Sequence, residues 1–263
     1  MLVFPQLTTG TISQYPLKLN RSTYLLRNEL ADGATVNWVD AAPKTNHWNL
    51  ALRDLTDLEA EAVQNLFQAV EGRLGVFTLL DPTANLLAYS EEYDKPCWIS
   101  GPALQRTTGI DDPFGGQHAV RLINAGQAEQ TLSQTLAAPA WFTYSFSVYA
   151  RSAGGSTLSL RRTSGSASQS RSATAGPTWM RWTVAGALDT ADESVTFSVA
   201  LPAGASVDLY GIQAEPQPGP SAYKLTGARN GVYSSARFDS DALDMTSDGP
   251  NQNRYNLRIV ARD

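Results

Sequence analysis

The chain has 263 residues, of which 42% are hydrophobic and 17% are charged, and its formal net charge is −5. This composition is typical of a folded chain with an ordinary core and excludes a disordered one, while the negative charge argues against nucleic-acid binding. No apolar run approaches the roughly 18 residues of a membrane span, so we expect no membrane insertion. The start, MLVFPQLTTG, lacks basic and apolar signal regions, so we expect no cleaved signal peptide.

The first 84 residues predict strands and one helix. Residues 35–40 and 47–53 alternate like strands. A capping-box pattern at residues 56–59 begins a helix, and Gly72 suits the left-handed residue that ends one. A buried strand, residues 76–80, follows. The apolar side chains expected to share one face of the helix are Ala62, Val63, Leu66, Phe67 and Val70.

From about residue 85 to 227, short alternating runs replace the helical pattern. TYSFSVYAR, for example, places Tyr144, Phe146 and Val148 on one face, and similar runs recur in TLSLRR, WMRWTVAG, SVTFSVALP and SVDLYGIQAE. Many short alternating strands separated by turns predict an antiparallel β-sandwich or jelly roll. The stretch near residues 165–176, GSASQSRSATAG, is the most loop-like, and we expect it to be mobile.

The C-terminal residues predict two further strands around the turn SDGPNQN. The last one places Tyr255, Leu257, Ile259 and Ala261 on one face. A pair of strands this short is marginal alone and needs a sheet to join. The nearest incomplete sheet is the N-terminal one. We therefore predict that residues 1–84 and 228–263 form one domain, and that residues 85–227 are a sandwich inserted into it.

The two ends of the chain resemble distal tail proteins of long-tailed bacteriophages. The residues that carry this resemblance are FPQLTTGTISQYPL, LADGATVNWVD, WNLALRDLTDLEAEAVQNLFQAVEGRLGVFTLLDP and, near the C-terminus, ARFDSDALDMT and YNLRIVAR. The resemblance implies a tail-tube-like β-sandwich or barrel flanked by one helix. It also implies a self-associated ring, usually a hexamer, which joins the tail tube to the tail-tip hub. The protein would then be assembled in the host cytoplasm and lie at the virion tail tip.

The middle region resembles the galectin-like or carbohydrate-binding-module-like jelly rolls that many phage structural proteins carry. NLLAYSEEYDKPCW, DPFGGQHAVRL and TYSFSVYAR contribute to this resemblance, and the ending GIQAEPQPGPSAYKLTG contributes most. The ending contains Gly211, Gln213, Glu215, Ser221 and Tyr223, followed by Thr226. The resemblance implies an accessory domain that contacts host-surface glycan.

No catalytic motif is recognisable, so we expect no enzyme. The sequence lacks G-x-S-x-G, H-E-x-x-H, a P-loop and a Rossmann glycine set. Glu91 and Glu92 are adjacent, so in an extended segment they point to opposite faces and cannot flank one glycosidic bond. They are interpreted as part of a solvated linker. Cys97 is interpreted as a small apolar residue, since neither histidine has a local relation to it.

Four aromatic residues are candidates for glycan contact: Trp98, Tyr149, Trp179 and Trp182. Tyr149 is opposite in phase to Tyr144, so we expect it to be exposed. Trp179 and Trp182 point to opposite faces of one strand, and we expect one of them in the core. For each candidate the alternative is a core or interface aromatic residue.

Carboxylates in the middle region are candidates for a structural calcium ion, the only cofactor considered. Asp111, Asp112 and Glu215 are possible donors, because carboxylates and carbonyls are the ligands that calcium prefers. Their spacing does not match an EF-hand loop.

The predicted partners are other copies of the chain, neighbouring tail proteins and a host glycan. The polar stretch of residues 8–27 is a candidate arm for contact with a neighbour, or else an ordinary hairpin loop. Two alternatives remain for the whole chain. One is a free carbohydrate-binding accessory protein, and the other is the equivalent part of a contractile injection or gene-transfer particle.

Overall fold

A computed structural model describes residues 1–22, 25–39 and 44–262. Within these residues the chain is mainly β, with 18 strands and one α-helix. It divides into two compact units. The first comprises Met1–Leu7, Ser13–Leu79 and Tyr233–Asp263, and the second comprises Thr8–Ile12 and Leu80–Val232. The predicted fold class, a mainly β chain with one helix and an antiparallel sandwich, is confirmed.

The first unit is built from the two ends of the chain. Its N-terminal elements are β1 (Lys18–Ser22), β2 (Leu25–Glu29), β3 (Thr35–Val39), β4 (Thr45–Leu55), α1 (Asp57–Ala69) and β5 (Phe77–Leu80). The second unit contains β6 (Ile99–Ser100), β7 (Leu104–Ile110), β8 (Ala119–Asn124), β9 (Gln130–Leu136), β10 (Tyr144–Arg151), β11 (Ser156–Ser164), β12 (Ala167–Ala175), β13 (Met180–Gly186), β14 (Val195–Leu201) and β15 (Ser206–Glu215). The remaining strands are β16 (Val232–Phe238), β17 (Met245–Ser247) and β18 (Asn253–Arg262).

A six-stranded sheet with the order β1-β4-β18-β16-β5 forms the first unit, and β17 also pairs with β18. β18 lies antiparallel to β4, with Ile259 opposite Trp48 and Leu257 opposite Leu50. The buried face of β18 is the one that its alternation predicts. β2 and β3 form a separate two-stranded hairpin. The C-terminal strand thus completes a sheet that begins about 200 residues earlier in the chain.

Helix α1 begins at the predicted capping box. The backbone N–H of Glu59 donates to Thr56 Oγ1 at 3.2 Å, and the Thr56 N–H donates to Glu59 Oε2 at 2.8 Å. Ala60, Val63 and Leu66 are the buried residues of the helix. This reciprocal bonding satisfies two donors at the first turn, and the apolar face then fixes the helix on the sheet.

The second unit is a sandwich of two five-stranded sheets. We call them the β10 sheet, with the order β13-β10-β15-β8-β7, and the β14 sheet, with the order β12-β11-β14-β9-β6. Phe197 of the β14 sheet contacts Tyr144 and Phe146 of the β10 sheet, with ring centroids 5.6 and 5.4 Å apart. The inward residues that the alternation of β10 predicts therefore form the core.

One detail of the second unit differs from the sequence-based expectations. The stretch expected to be a mobile loop is β12, paired with β11 from Ser164↔Ala167 to Ser156↔Ala175. The strand is hard to recognise in the sequence because it consists largely of small hydroxyl residues. Alternation among such residues gives little contrast between a hydrophobic face and a polar face. The predicted boundaries near residues 85 and 227 lie within this unit, which extends from Leu80 to Val232. The exit and return segments bond to each other there, since the Asp81 N–H donates to the Gly231 carbonyl at 2.8 Å.

Candidate functional site

The β10 strand has one face in the core and one face directed away from it. Tyr144, Phe146 and Val148 are buried in the core. Tyr149 lies on the opposite face, as its alternation predicts, and Arg151 follows it there. We call this side of the β10 sheet the outward face, and it is the candidate functional site.

Aromatic rings gather on the outward face. Tyr149 and Tyr210 are register partners on β10 and β15, with ring centroids 6.2 Å apart. Phe114 stands edge-on to both, at 5.7 and 5.9 Å, and Tyr223 packs on Tyr210 at 5.2 Å. Phe114 is 68% exposed. We call these four rings the aromatic platform, and Phe114 offers its most accessible apolar surface.

The loop that presents Phe114 is held by a carboxylate. Asp112 Oδ1 accepts hydrogen bonds from the backbone N–H groups of Phe114 at 2.8 Å and Gly116 at 3.1 Å. Asp112 Oδ2 accepts one from the His118 N–H at 3.3 Å. Burial by itself would raise the pKa of Asp112, but these three donors outweigh it and hold that pKa below its ordinary value. The loop conformation is therefore fixed before any ligand arrives.

A carboxylate also lies beside the platform. Burial, and after it the negative charge of Glu91, raises the pKa of Tyr210 to about 12. Burial is also the largest cause that raises the pKa of Tyr223, and Glu91 adds to it. Both phenols therefore stay protonated near neutral pH. Glu91 Oε2 lies 3.5 Å from His118 Nδ1. The solvated-linker interpretation of Glu91 is thus corrected, because its side chain is only 13% exposed.

A charged row crosses the outward face next to the rings. Arg151, Asp208 and Arg121 are successive register partners on β10, β15 and β8. Arg121 donates to both oxygens of Asp208 at 2.7 and 3.1 Å, and Arg151 Nε donates to Oδ2 at 3.0 Å. The Arg151 guanidinium also lies 4.8 Å from the centre of the Trp179 ring. Three strands and the segment just before β13 thus bring together two cations, one anion and an indole.

The structure separates the four predicted glycan contacts into two groups. Tyr149 and Trp179 lie with the platform and the charged row. Trp98 is only 6% exposed, and its Nε1 donates to the Tyr89 carbonyl at 2.9 Å. Trp182 is the register partner of the inward residue Val148. Trp98 is therefore a covered side chain and Trp182 lies on the inward side of β13, so neither ring is presented on the outward face.

Phe114, Tyr210, Tyr223 and Glu91 are residues of the site that the sequence analysis missed. They lie on three loops and one strand that only the folded sandwich brings together. One available signal was the motif DPFGGQHAVRL, in which an apolar Phe114 stands between turn-forming residues.

The predicted calcium donors have other partners. Glu215 is buried, and it accepts hydrogen bonds from the Ser221 N–H at 2.9 Å and from Lys224 Nζ at 2.7 Å. Burial would raise the pKa of Glu215, but Lys224 and Ser221 outweigh it and lower that pKa. Exposed Asp111 accepts from Gln117 at 3.3 Å. Within residues 1–22, 25–39 and 44–262, no three His, Cys, Asp or Glu side chains are grouped so that they could hold a metal ion.

None of the helices that the structure describes is long and apolar enough to cross a membrane.

Comparison with known proteins gives no family assignment. No protein-family model matches the sequence, and none of the curated proteins matches it. Among solved structures, the enzymatically active domain of tailspike protein 4 of bacteriophage CBA120 is similar over 52% of this chain and 22% of its own, with 14% identity and a TM-score of 0.42. This chain thus corresponds to less than a quarter of that tailspike structure.

Two carbohydrate-binding modules are also similar to part of the chain. TmCBM61, solved in complex with β-1,4-galactotriose, matches 49% of this chain and 97% of its own, with 16% identity and a TM-score of 0.40. The CBM22-1 xylan-binding domain of Xyn10C from Paenibacillus barcinonensis matches 53% and 98%, with 13% identity and a TM-score of 0.40. Likeness at this level says nothing about the ligand or the activity of the present chain.

Proposed function

We propose that the second unit binds carbohydrate on its outward face and does so without catalysis. The observation that carries this proposal is the aromatic platform, in which an exposed Phe114 is held edge-on to Tyr149 and Tyr210. The apolar C–H face of a sugar ring packs against such aromatic surfaces, while nearby polar groups fix its orientation. Binding is a property of this site, not of the sandwich fold in general.

The polar groups around the platform suit a ligand rich in hydroxyls. Glu91 accepts hydrogen bonds, and Arg151 donates them. The protonated phenols of Tyr210 and Tyr223 are held by their own neighbours, so they keep the rings in place and do not need to rearrange. A site whose parts are held before binding loses less entropy when the ligand arrives.

Titration calorimetry of the whole chain, guided by a glycan array, tests this proposal. We expect Phe114→Ala and Tyr149→Ala each to weaken binding by about tenfold or more, because each removes stacking surface. Trp141→Ala is the matched control, since Trp141 is an exposed aromatic residue just before β10, at the end of the strand away from Tyr149. Equal binding by all variants, or no saturable glycan binding at all, would contradict the proposal.

We further propose that the first unit is a structural component of a phage tail tip. In this role copies of the chain form a ring that links the tail tube to the host-recognition apparatus. The resemblance of residues 1–84 and of the C-terminal strands to distal tail proteins supports this role. The hairpin β2–β3 supports self-association, since Leu26 faces Trp38 across it and the two side chains are 55% and 59% exposed. Leu25 of the same hairpin is 65% exposed.

An isolated two-stranded hairpin is marginal in water, and large exposed apolar side chains mark interaction surfaces. We therefore assign a second copy of the chain as the partner of the hairpin. Light scattering over micromolar concentrations should give a mass several times the 28.4 kDa of one chain. Leu26→Ser combined with Trp38→Ser should lower that mass, whereas Leu225→Ser, an exposed position in the second unit, should leave it unchanged. A strictly monomeric wild-type protein would exclude self-association through the hairpin.

A further inference from the structure

The charged row on the outward face, which consists of Arg121, Asp208 and Arg151, contains more positive than negative charge. One carboxylate, Asp208, meets two guanidinium groups, those of Arg121 and Arg151. The Asp208 side chain is 7% exposed, whereas Arg121 is 44% exposed and Arg151 is 27% exposed. The anion is thus buried beneath the row, and the cations reach the surface.

The geometry leaves guanidinium groups available to a ligand. Asp208 engages Nε and Nη2 of Arg121 and Nε of Arg151. Nη1 and Nη2 of Arg151 and Nη1 of Arg121 take no part in these bonds. Because Asp208 and the Trp179 ring fix the planes of these side chains, the remaining N–H groups are oriented before binding.

A third cation lies in the adjacent row. The Arg181 guanidinium lies 5.3 Å from the centre of the Tyr149 ring, and its Nη2 donates to Ser147 Oγ at 3.0 Å. Arg181 is the register partner of Tyr149, so cationic groups flank the platform on the β13 side and follow it along β10.

The acidic groups near the platform lie at the loop that carries Phe114. Glu91 lies beside His118, and Asp112 accepts three backbone N–H groups. Asp111 is exposed at the β7–β8 loop. At the β10 end of the outward face, the guanidinium groups of Arg121 and Arg151 outnumber the single carboxylate of Asp208, in a chain whose overall charge is −5.

We propose that the carbohydrate bound on the outward face is an acidic polysaccharide, whose carboxylate or sulfate groups are bound by Arg121 and Arg151. This inference rests on the proposed carbohydrate-binding function and narrows it to one substrate class. The planar guanidinium group forms paired hydrogen bonds with a carboxylate or with a sulfate. The ligand class is therefore defined by what these two anions share, namely negatively charged oxygen atoms. The platform holds the sugar ring, and the charged row selects the substituent.

Matched pairs of polysaccharides test the inference with the whole chain. Polygalacturonate and its fully methyl-esterified form share a backbone and differ in free carboxylates, and dextran sulfate and dextran differ in sulfate. We expect the anionic member of at least one pair to bind about tenfold more tightly at low salt, and the preference to shrink at high ionic strength. The pair that shows the preference identifies which anion is recognised.

Variants separate recognition from structural support. Arg121→Gln combined with Arg151→Gln should abolish the preference for the anionic member, while Arg121→Lys combined with Arg151→Lys should retain part of it. Arg161→Gln is the control, because Arg161 forms a similar two-bonded pair with Glu129 on the β14 sheet. The measured quantity is the ratio of the affinity for the anionic polysaccharide to the affinity for its neutral partner. A substitution that only damages the structure lowers both affinities and leaves this ratio unchanged.

The possible outcomes are distinguishable. If neutral and anionic members bind equally, or if the double Gln variant keeps the preference, the inference is overturned and the carbohydrate-binding function stands. If neither member of either pair binds and the glycan array shows no ligand, both are overturned. Circular dichroism of each variant establishes that it is folded.

Discussion

Asp112 fixes the most exposed ring of the site through the backbone of Phe114, whose N–H donates to Asp112 Oδ1 at 2.8 Å. The same oxygen accepts from Gly116, and Gly115 between them has φ +90°, a conformation that favours glycine. One carboxylate and one glycine thus fix the conformation of this loop. Without them the loop would have to become ordered when the ligand binds, and that would reduce the binding free energy.

Asp112→Ala should therefore weaken glycan binding, although Asp112 itself does not contact the ligand. The expected loss is roughly tenfold, because the loop must then be ordered on binding. Hydrogen exchange should show faster exchange of the Phe114 and Gly116 amides, and calorimetry should show the lower affinity. Asp111→Ala is the matched control at the neighbouring exposed position. Unchanged exchange in Asp112→Ala would show that the carboxylate does not hold the loop.

We predict that the second unit becomes less stable at acid pH because Glu215 is protonated there. Its pKa is lowered in the folded state, so the folded protein binds this proton less readily than the unfolded chain does. Its contribution to stability is therefore complete above about pH 4.5, the ordinary value, and is lost as the pH falls below it. Thermal unfolding between pH 3 and 6 should show this loss.

The stability of Glu215→Gln should depend less on pH between pH 3 and 6, because the variant has no carboxylate to protonate at this position. It should also be less stable at neutral pH, since Lys224 loses its partner in a position that is only 30% exposed. Asp189→Asn, an exposed carboxylate of the same unit, should leave both properties unchanged. An identical dependence of stability on pH in wild type and Glu215→Gln would refute the assignment.

The capping box predicts a small stability loss confined to the first unit. Thr56→Ala removes the acceptor of the Glu59 N–H and should cost about 1 kcal/mol in the free energy of unfolding. Thr56→Ser retains the hydroxyl and should cost much less. Differential scanning calorimetry measures the change, and glycan binding by the second unit should stay the same. A loss of glycan affinity would show that the capping box also affects the second unit.

The pairing of β4 with β18 predicts which deletions leave a folded chain. Asp81 and Gly231 already share a 2.8 Å hydrogen bond, so a short glycine linker can replace residues 82–230. We expect this excised chain to fold, because its core lies between β4, β18 and α1. A chain truncated after Pro82 should not fold, since it lacks β18. Circular dichroism and cooperative thermal unfolding test both expectations, and an unfolded excised chain would argue against an inserted domain.

Features set by neighbouring residues could be predicted from the sequence. The capping box at Thr56 and the alternation of β10 and β18 act within a few residues, so their patterns are visible in the chain itself. The strand β12 was missed for the opposite reason, because serine and alanine give no hydrophobic contrast. Its pairing with β11 supplies the hydrogen bonds that decide its structure.

The sequence by itself determined the helix, most strands, the mainly β class and the outward direction of Tyr149. Only the tertiary structure decided that Trp98 is covered, that Trp182 turns inward and that Glu91 lies against two tyrosines. It alone also placed Asp208 between Arg151 and Arg121, residues 57 and 87 positions away in the chain. Residue periodicity assigns a side chain to one face of its own strand, but the neighbours on that face depend on strand order and register. Both are settled by the packing of the whole sandwich.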